Sequence, residues 1–512
     1  MSAAERVRAG GAEGSRAGAG PSRSRAPGGR IDAWPASARQ RVLCGYGRVA
    51  PSRSWVITPR SADELAEALL ALRARPGGLI ARGAGRAYGD AAQNAGGHVL
   101  DMTALDWIGA VQEDESAGGA PTVRVGAGAT LGAILKRVVP LGLMLSVTPG
   151  TKHVSVGGAI AADIHGKNHP ADGSFAACVR SLVICSPGGE LRRISPERDG
   201  ELFAATLGGM GLTGVICEAT LALERISGRS LVGEISRCGD LGAVLELLGG
   251  DSHRYAVAWV DLLGDLPGGF SRRRRGFGRG VVVRSDYVGR DASRQRSAPG
   301  AQSESWHAGP AERPRLRVPD RWQAQVLHTP MIRAFNALRY RLSPASASAR
   351  PLPFNSHFFP LDALANWNRL YGRAGFIQYQ YVVPRGREQV LEQVLVSLDQ
   401  ARVPVFLAVL KRFGRPSGGL LSFPIEGFTA ALDIPAGTPG LRSALARADE
   451  LVAGAGGRVY LAKDVRMEAS AMAAMYPQLE RFRALQGAID PDGLLRSDLS
   501  RRLGLLAARG GA

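Results

Sequence analysis

Residues Ala81-Arg82-Gly83-Ala84-Gly85-Arg86-Ala87-Tyr88-Gly89-Asp90-Ala91 decide how the rest of the chain is read. They follow a short strand predicted over residues 78–82, which invites a nucleotide-binding reading. The spacing argues against a Rossmann site, because the third glycine falls at Gly89, one place late, and no helical period follows. Consecutive small residues still expose backbone N–H groups that can form a nest around a pyrophosphate. Two more Gly-rich elements, Ser155 to Gly158 and Gly208 to Gly211, point the same way. One extended cofactor needs several close backbone approaches.

Working outward, residues 62–73 carry a helical period with Ser61 as N-cap and Pro76-Gly77-Gly78 as the stop. Strands are predicted over 98–102, 122–125, 180–186, 189–194 and 214–223, and an amphipathic helix over 131–141. A second region starts near Ser230. It holds strands over 255–262, 378–383 and 405–410, helices over 387–400 and 441–453, and a strand over 457–461. The last fifty residues read as helical around an Asp490-Pro491-Asp492-Gly493 turn, and no internal repeat is visible.

The 512 residues are 45% hydrophobic and 21% charged, which excludes wholesale disorder and suggests two or three domains. No run of roughly 18 apolar residues predicts a spanning helix, and residues 1–30 lack the apolar core of a signal peptide. Five cysteines without CxxC spacing argue against a zinc site or disulfide framework and fit a reducing cytosol. The net charge of +19 is uneven. Residues 1–30 and 271–321 hold much of it, in Arg-rich stretches that read as mobile and suited to a polyanion or an anionic membrane surface. Lysine is rare by contrast: Lys136, Lys152, Lys167, Lys411 and Lys463 are the only five. An ammonium kept where arginine is otherwise written suggests a need for a compact, tunable charge.

The segments ARGAGRAYGDAAQNAGG (81–97), PGTKHVSVGGAIAADIHGKNH (149–169), LGGMGLTGVI (207–216), GRAGFIQYQYVVP (372–384), VLKRFG (409–414) and GGRVYLAKDVR (456–466) together resemble the vanillyl-alcohol oxidase superfamily. Within it they are similar to the flavoprotein oxidase subunits of decaprenylphosphoryl-β-D-ribose 2-epimerases, over roughly residues 45–506. The resemblance implies an α+β, two-domain protein: a PCMH-type FAD-binding domain plus a substrate domain with an antiparallel sheet. On that reading residues 1–39 form a disordered basic tail and 40–228 the FAD domain. Residues 229–456 form the substrate domain, with the basic insertion at 271–321, and 457–512 return to the FAD domain.

By motif, the resemblance assigns FAD contacts to Ala81, Arg82, Gly83, Ala84, Gly85, Arg86, Ala87, Tyr88, Gly89, Asp90, Ala91, Gly150, Ser155, Val156, Gly157, Gly158, Ala162, Asp163, Ile164, His165, Ile216 and Tyr460. Arg86 stands where some relatives attach FAD through a histidine, so noncovalent FAD is expected. Catalytic roles fall to His165 as base or orienting group, Lys463 and Lys411; substrate contacts fall to Lys167, Trp259, Gln378, Gln380, Phe358 and Ala431. Gln378 and Gln380 alternate onto one strand face, which suits hydroxyl recognition. Three positions depart from the family pattern: Ala431 replaces a Cys, Thr429 an Asn and Phe358 a Tyr.

The implied reaction is oxidation of a sugar secondary alcohol, at C2 of a polyprenylphosphoryl-β-D-ribose, to a keto intermediate. A separate short-chain reductase would then reduce it toward the arabinose form. Oxidation of a soluble alditol, aldonolactone or secondary-metabolite sugar is the alternative enzyme reading. A nucleic-acid-binding protein would use the Arg-rich segments but leave the flavin motifs unexplained. The expected location is cytoplasmic, peripheral at the inner face of the plasma membrane.

Overall fold

A computed structural model gives the fold and describes residues 38–114, 119–228, 230–250, 252–264, 277–288, 314, 316–345 and 349–506. The helix Ala62–Arg73 forms where its period predicts, burying Leu65, Ala68, Leu69 and Leu72 along one face. Ser61 caps it, its hydroxyl accepting from the Glu64 N–H. This helix links the strands Ser52–Ile57 and Leu79–Arg82, which flank His98–Asp101 in parallel; Arg39–Leu43 completes a four-stranded sheet. The Gly-rich loop therefore leaves the end of a buried strand, and no helix follows it.

A second, antiparallel sheet runs in the order Ile108–Asp114, Ala120–Gly126, Val215–Ala222, Val179–Cys185, Leu191–Ile194. The helices Leu131–Val138 and Val156–Ala161 share its apolar core. The third sheet has eight strands. Its spatial order is Ala349–Leu352, Leu231–Cys238, Gly280–Tyr287, Tyr255–Val260, Leu407–Phe413, Gly427–Pro435, Phe376–Pro384 and Arg458–Val459.

Alternation divides this sheet into two chemistries. Tyr379, Tyr381, Val383, Ala430, Leu432 and Leu410 pack into the core with the helices Glu388–Gln400 and Leu441–Gly454. Their neighbours take the opposite face. Register sets Gln378 opposite Asp433, Gln380 opposite Ala431, and Lys411 opposite Thr429. Six site positions thus lie on three adjacent strands.

The C-terminal segment packs against the first sheet. The Leu79 N–H donates to the Leu494 carbonyl at 2.7 Å and the Arg496 N–H to the Leu79 carbonyl at 2.8 Å. Arg502, on the helix Asp498–Leu503, grips Asp90 with two nitrogens and Asp464 with a third at 2.8 Å. One guanidinium therefore ties the Gly-rich loop to the turn that carries Lys463.

Three boundaries need correction. Residues 280–287, inside the predicted irregular insertion, form a strand between Leu231–Cys238 and Tyr255–Val260. Arg458–Val459 pairs with Phe376–Pro384, so the substrate sheet runs past residue 456. Arg39 opens a strand rather than ending a tail. Residues 1–37, and Phe270 and the run Arg272 to Arg275 at the start of the insertion, lie outside the described residues.

Candidate active site

The Gly-rich elements meet at an open cleft of roughly 650 Å³, its solvent-filled mouth included. Of the predicted cofactor residues, Ala81, Gly83, Ala87, Ala91, Gly157, Gly158, Ala162 and Ile216 line it. Ala92, Met102, Ala127, Ala161, Met210, Gly211, Gly214 and Ala462 line it too. Met210 and Gly211 belong to the third Gly-rich element already noted. Ala92, Ala127, Ala161 and Ala462 carry no signal in the sequence, because small side chains have meaning only once the backbone is placed.

The residues fit an extended group such as FAD. Almost the whole lining is glycine and alanine, leaving a slot that larger side chains would fill. A Cβ on Gly83 would stand 1.9 Å from Ser155 Oγ, so loop and helix approach as closely as backbone allows. Ser155 Oγ accepts from the Ala84 N–H, fixing the loop. The buried Arg86 Nε has no partner among the described residues and is a free donor in the same loop.

Other assigned residues act differently. Arg82 donates to the Ala92 and Cys44 carbonyls, and Gly85, at φ +65°, leaves room for that guanidinium. Asp90 is held by Arg502. Gly89 is forced by contact, since a Cβ there would lie 1.8 Å from the Asp464 carbonyl oxygen. Asp163 accepts from the hydroxyls of Ser174, Ser417 and Ser422 and from the Ala176 N–H, a buried clasp rather than a lining group. Val156 and Ile164 point into the core, and Gly150 faces open space. Tyr460 donates its hydroxyl to the Ala162 carbonyl and stacks on Phe423.

Beyond the cleft lies a polar chamber. His165 sits between Lys411, whose Nζ is 2.9 Å from Nδ1, and Gln380, whose Nε2 is 3.1 Å from Nε2. Gln380 also donates to Thr429 Oγ1, and Thr429 donates onward to the Tyr381 carbonyl. A neutral Lys411 satisfies both ring nitrogens: Nδ1–H donates to the amine, Nε2 accepts from the amide, and the amine also donates to the Gly166 carbonyl. Burial, with Lys463 and Lys167 nearby, holds the Lys411 amine well below the usual lysine range. Burial likewise drives His165 well below its ordinary value, so the ring is neutral.

Lys463 reaches over the Tyr88 ring at 5.2 Å and the Tyr460 ring at 6.0 Å. Burial lowers it to about 8 against the opposing pull of Asp433. Asp433 is fully buried and is the residue that sequence reasoning missed. Burial raises its carboxyl to about 7, while Gln378, donating to Oδ1, and Lys463 oppose the rise. Strand alternation from Ala431 gives its face, but only the register puts it beside Gln378.

Three buried acceptors on this face lack partners among the described residues: Gln378 Oε1, Gln380 Oε1 and Asp433 Oδ2. Buried acceptors without donors call for a ligand that supplies hydroxyls.

The remaining predicted contacts lie at the margins. Lys167 donates to the His357 carbonyl, and burial lowers it to about 8. Trp259 is buried under the Arg339 guanidinium, 5.1 Å from the ring centroid. Phe358 packs its ring into an aromatic cluster with Tyr255, Tyr287 and Phe354. An aromatic ring without a hydroxyl is stable there, so the position serves the core. All five cysteines are free. Among the described residues no helix is long and apolar enough to cross a membrane, and no group of side chains could hold a metal.

Comparison with known proteins agrees with this geometry. Residues 54–195 match the FAD binding domain family. Decaprenylphosphoryl-β-D-ribose oxidase of Mycolicibacterium smegmatis is 34% identical over 91% of this chain and 97% of its own length. An uncharacterised protein from the mprA 5′ region of Streptomyces coelicolor is 36% identical over 73% of this chain and all of its own. The alditol oxidase of a Streptomyces species is 30% identical, but over only 35% of this chain and 40% of its own.

Proposed function

Because the chain belongs to the decaprenylphosphoryl-β-D-ribose oxidase family of FAD-dependent oxidoreductases, we propose that it oxidises the C2 hydroxyl of a polyprenylphosphoryl-β-D-ribose to the ketone. FAD is the cofactor, and when bound it supplies the acceptor for the hydride leaving the carbinol carbon. The observation that carries the substrate class is the trio of unpartnered acceptors on Gln378, Gln380 and Asp433, a set that sugar hydroxyls satisfy.

The chain's own residues divide the remaining work. Lys463, lowered to about 8, receives the hydroxyl proton as an amine, and Asp433 beneath it stabilises the resulting ammonium. His165 has both ring nitrogens engaged, so it positions Lys411 and Gln380 rather than acting as the base. Small residues around the cleft admit the cofactor and exclude water, and Arg86, in the same Gly-rich loop, keeps an unpaired donor beside Tyr46.

The reading extends to a short-chain reductase that consumes the ketone, and to a cytoplasmic enzyme held peripherally at the inner face of the plasma membrane. Anaerobic mixing of the flavoprotein with prenylphosphoryl ribose, free ribose and a soluble alditol tests the substrate. Bleaching of the flavin absorbance by the lipid-linked sugar supports the proposal. Bleaching by the alditol alone moves the protein to the soluble-sugar alternative.

A further inference from the structure

The helix Thr329–Leu342 is apolar on two sides. Its inner side is anchored to the sheet face that carries the chamber. Ile332 packs with Leu263, Tyr371 and Phe376, Asn336 donates to Asp261, and Arg339 covers Trp259. Its outer side presents Met331, Phe335, Leu338 and Leu342, which are 42%, 55%, 57% and 76% exposed. The spacing i, i+4, i+7, i+11 makes them one continuous stripe, unlike the scattered surface apolar residues of any soluble protein. The helix contains no acidic residue, and Arg341 is exposed on the flank of the stripe, while Arg333 lies on the opposite side and donates to the Leu263 carbonyl. The segment leading into it exposes Leu316 and Trp322 and carries Arg317 and Arg321 against Asp320.

We propose that this helix is an interfacial anchor for an anionic lipid surface, its stripe sunk at the headgroup boundary and its arginines on lipid phosphates. Charge selects this occupant over a second copy of the chain. An isologous contact through the stripe would join two helices that hold no acidic partner for the flanking Arg341, whereas an anionic bilayer complements both the apolar line and its basic flank. The helix forms one wall beside Trp259, so docking places the chamber at the bilayer surface without a spanning segment. The inference takes its purpose from the lipid-linked substrate proposed above, but lipid binding is measured without that substrate and stands or falls separately.

The test is sedimentation of the full-length flavoprotein with phosphatidylcholine vesicles and with vesicles containing phosphatidylglycerol. The wild type is expected on the anionic vesicles. The triple variant Phe335→Ser, Leu338→Ser, Leu342→Ser is expected to bind them at least about ten-fold more weakly, with flavin absorbance and melting temperature unchanged. As a second measurement, Phe335→Trp fluorescence should shift to the blue on anionic vesicles. Equal binding by the triple variant, no binding by the wild type, or no spectral shift overturns the proposal. A wild-type dimer that the triple variant converts to a monomer also overturns it by assigning the stripe to self-association. A markedly lower melting temperature does the same by assigning it to the protein's own core.

Discussion

Lys411 Nζ stands 2.9 Å from His165 Nδ1, deep enough that burial and two neighbouring lysines favour the neutral amine. The two residues lie 246 positions apart, so their contact registers the eight-stranded sheet that carries Lys411 on the segment that carries His165. Lys411→Met should retain FAD and lose at least roughly ten-fold in the rate of flavin reduction, since His165 and then Gln380 lose their alignment. Lys411→Gln, which can still hydrogen-bond Nδ1, should recover part of that rate. Stopped-flow absorbance checks both, and equal rates for Met and Gln would deny the hydrogen bond its positioning role.

The pH dependence belongs to Lys463. With its folded value lowered to about 8, the amine form grows as pH rises through 8, and flavin reduction should rise with it. Lys463→Ala should be slow and lack this limb. Lys463→Arg should also fail, because a guanidinium keeps its proton. A wild-type rate that falls through pH 8 would make Lys463 a required cation instead.

Two glycines separate cofactor fit from folding. Gly89→Ala puts a methyl onto the Asp464 backbone and should destabilise the protein by about 2 kcal/mol whether or not flavin is bound. Gly158→Ala meets only Ser155 Oγ at 3.1 Å, yet it lines the cleft. It should leave the apoprotein's melting temperature nearly unchanged and weaken flavin retention on gel filtration. Equal flavin retention in Gly158→Ala would remove that edge of the cleft from the cofactor site.

Attachment of the cofactor is read from acid precipitation. Arg86 has no nucleophilic ring nitrogen, so trichloroacetic acid should release all the yellow colour into the supernatant. Flavin remaining in the pellet would contradict noncovalent binding.

Local signals made much of this molecule legible. Ser61 and the period of residues 62–73 defined a helix to the residue, and the alternation of Gln378 and Gln380 gave a strand with its polar face. The lysines mattered because Lys411 and Lys463 meet in the chamber and Lys167 lies at its margin, each with its basicity lowered by burial. What stayed hidden depended on distant pairing. Asp433 becomes a site residue only when its strand sets it opposite Gln378. The cluster that Phe358 forms with Tyr255 and Tyr287 likewise joins residues distant in sequence. The strand Gly280–Tyr287 was masked by the arginines around it, although its three consecutive valines are what a central strand buries or half-buries.

The most direct test of the central claim is anaerobic flavin reduction by prenylphosphoryl ribose carrying deuterium at one carbon at a time. Hydride loss from C2 predicts a several-fold slower bleaching for the C2-deuterated sugar and unchanged rates for deuterium at C1 or C3. An isotope effect at another carbon, with none at C2, would contradict the assignment.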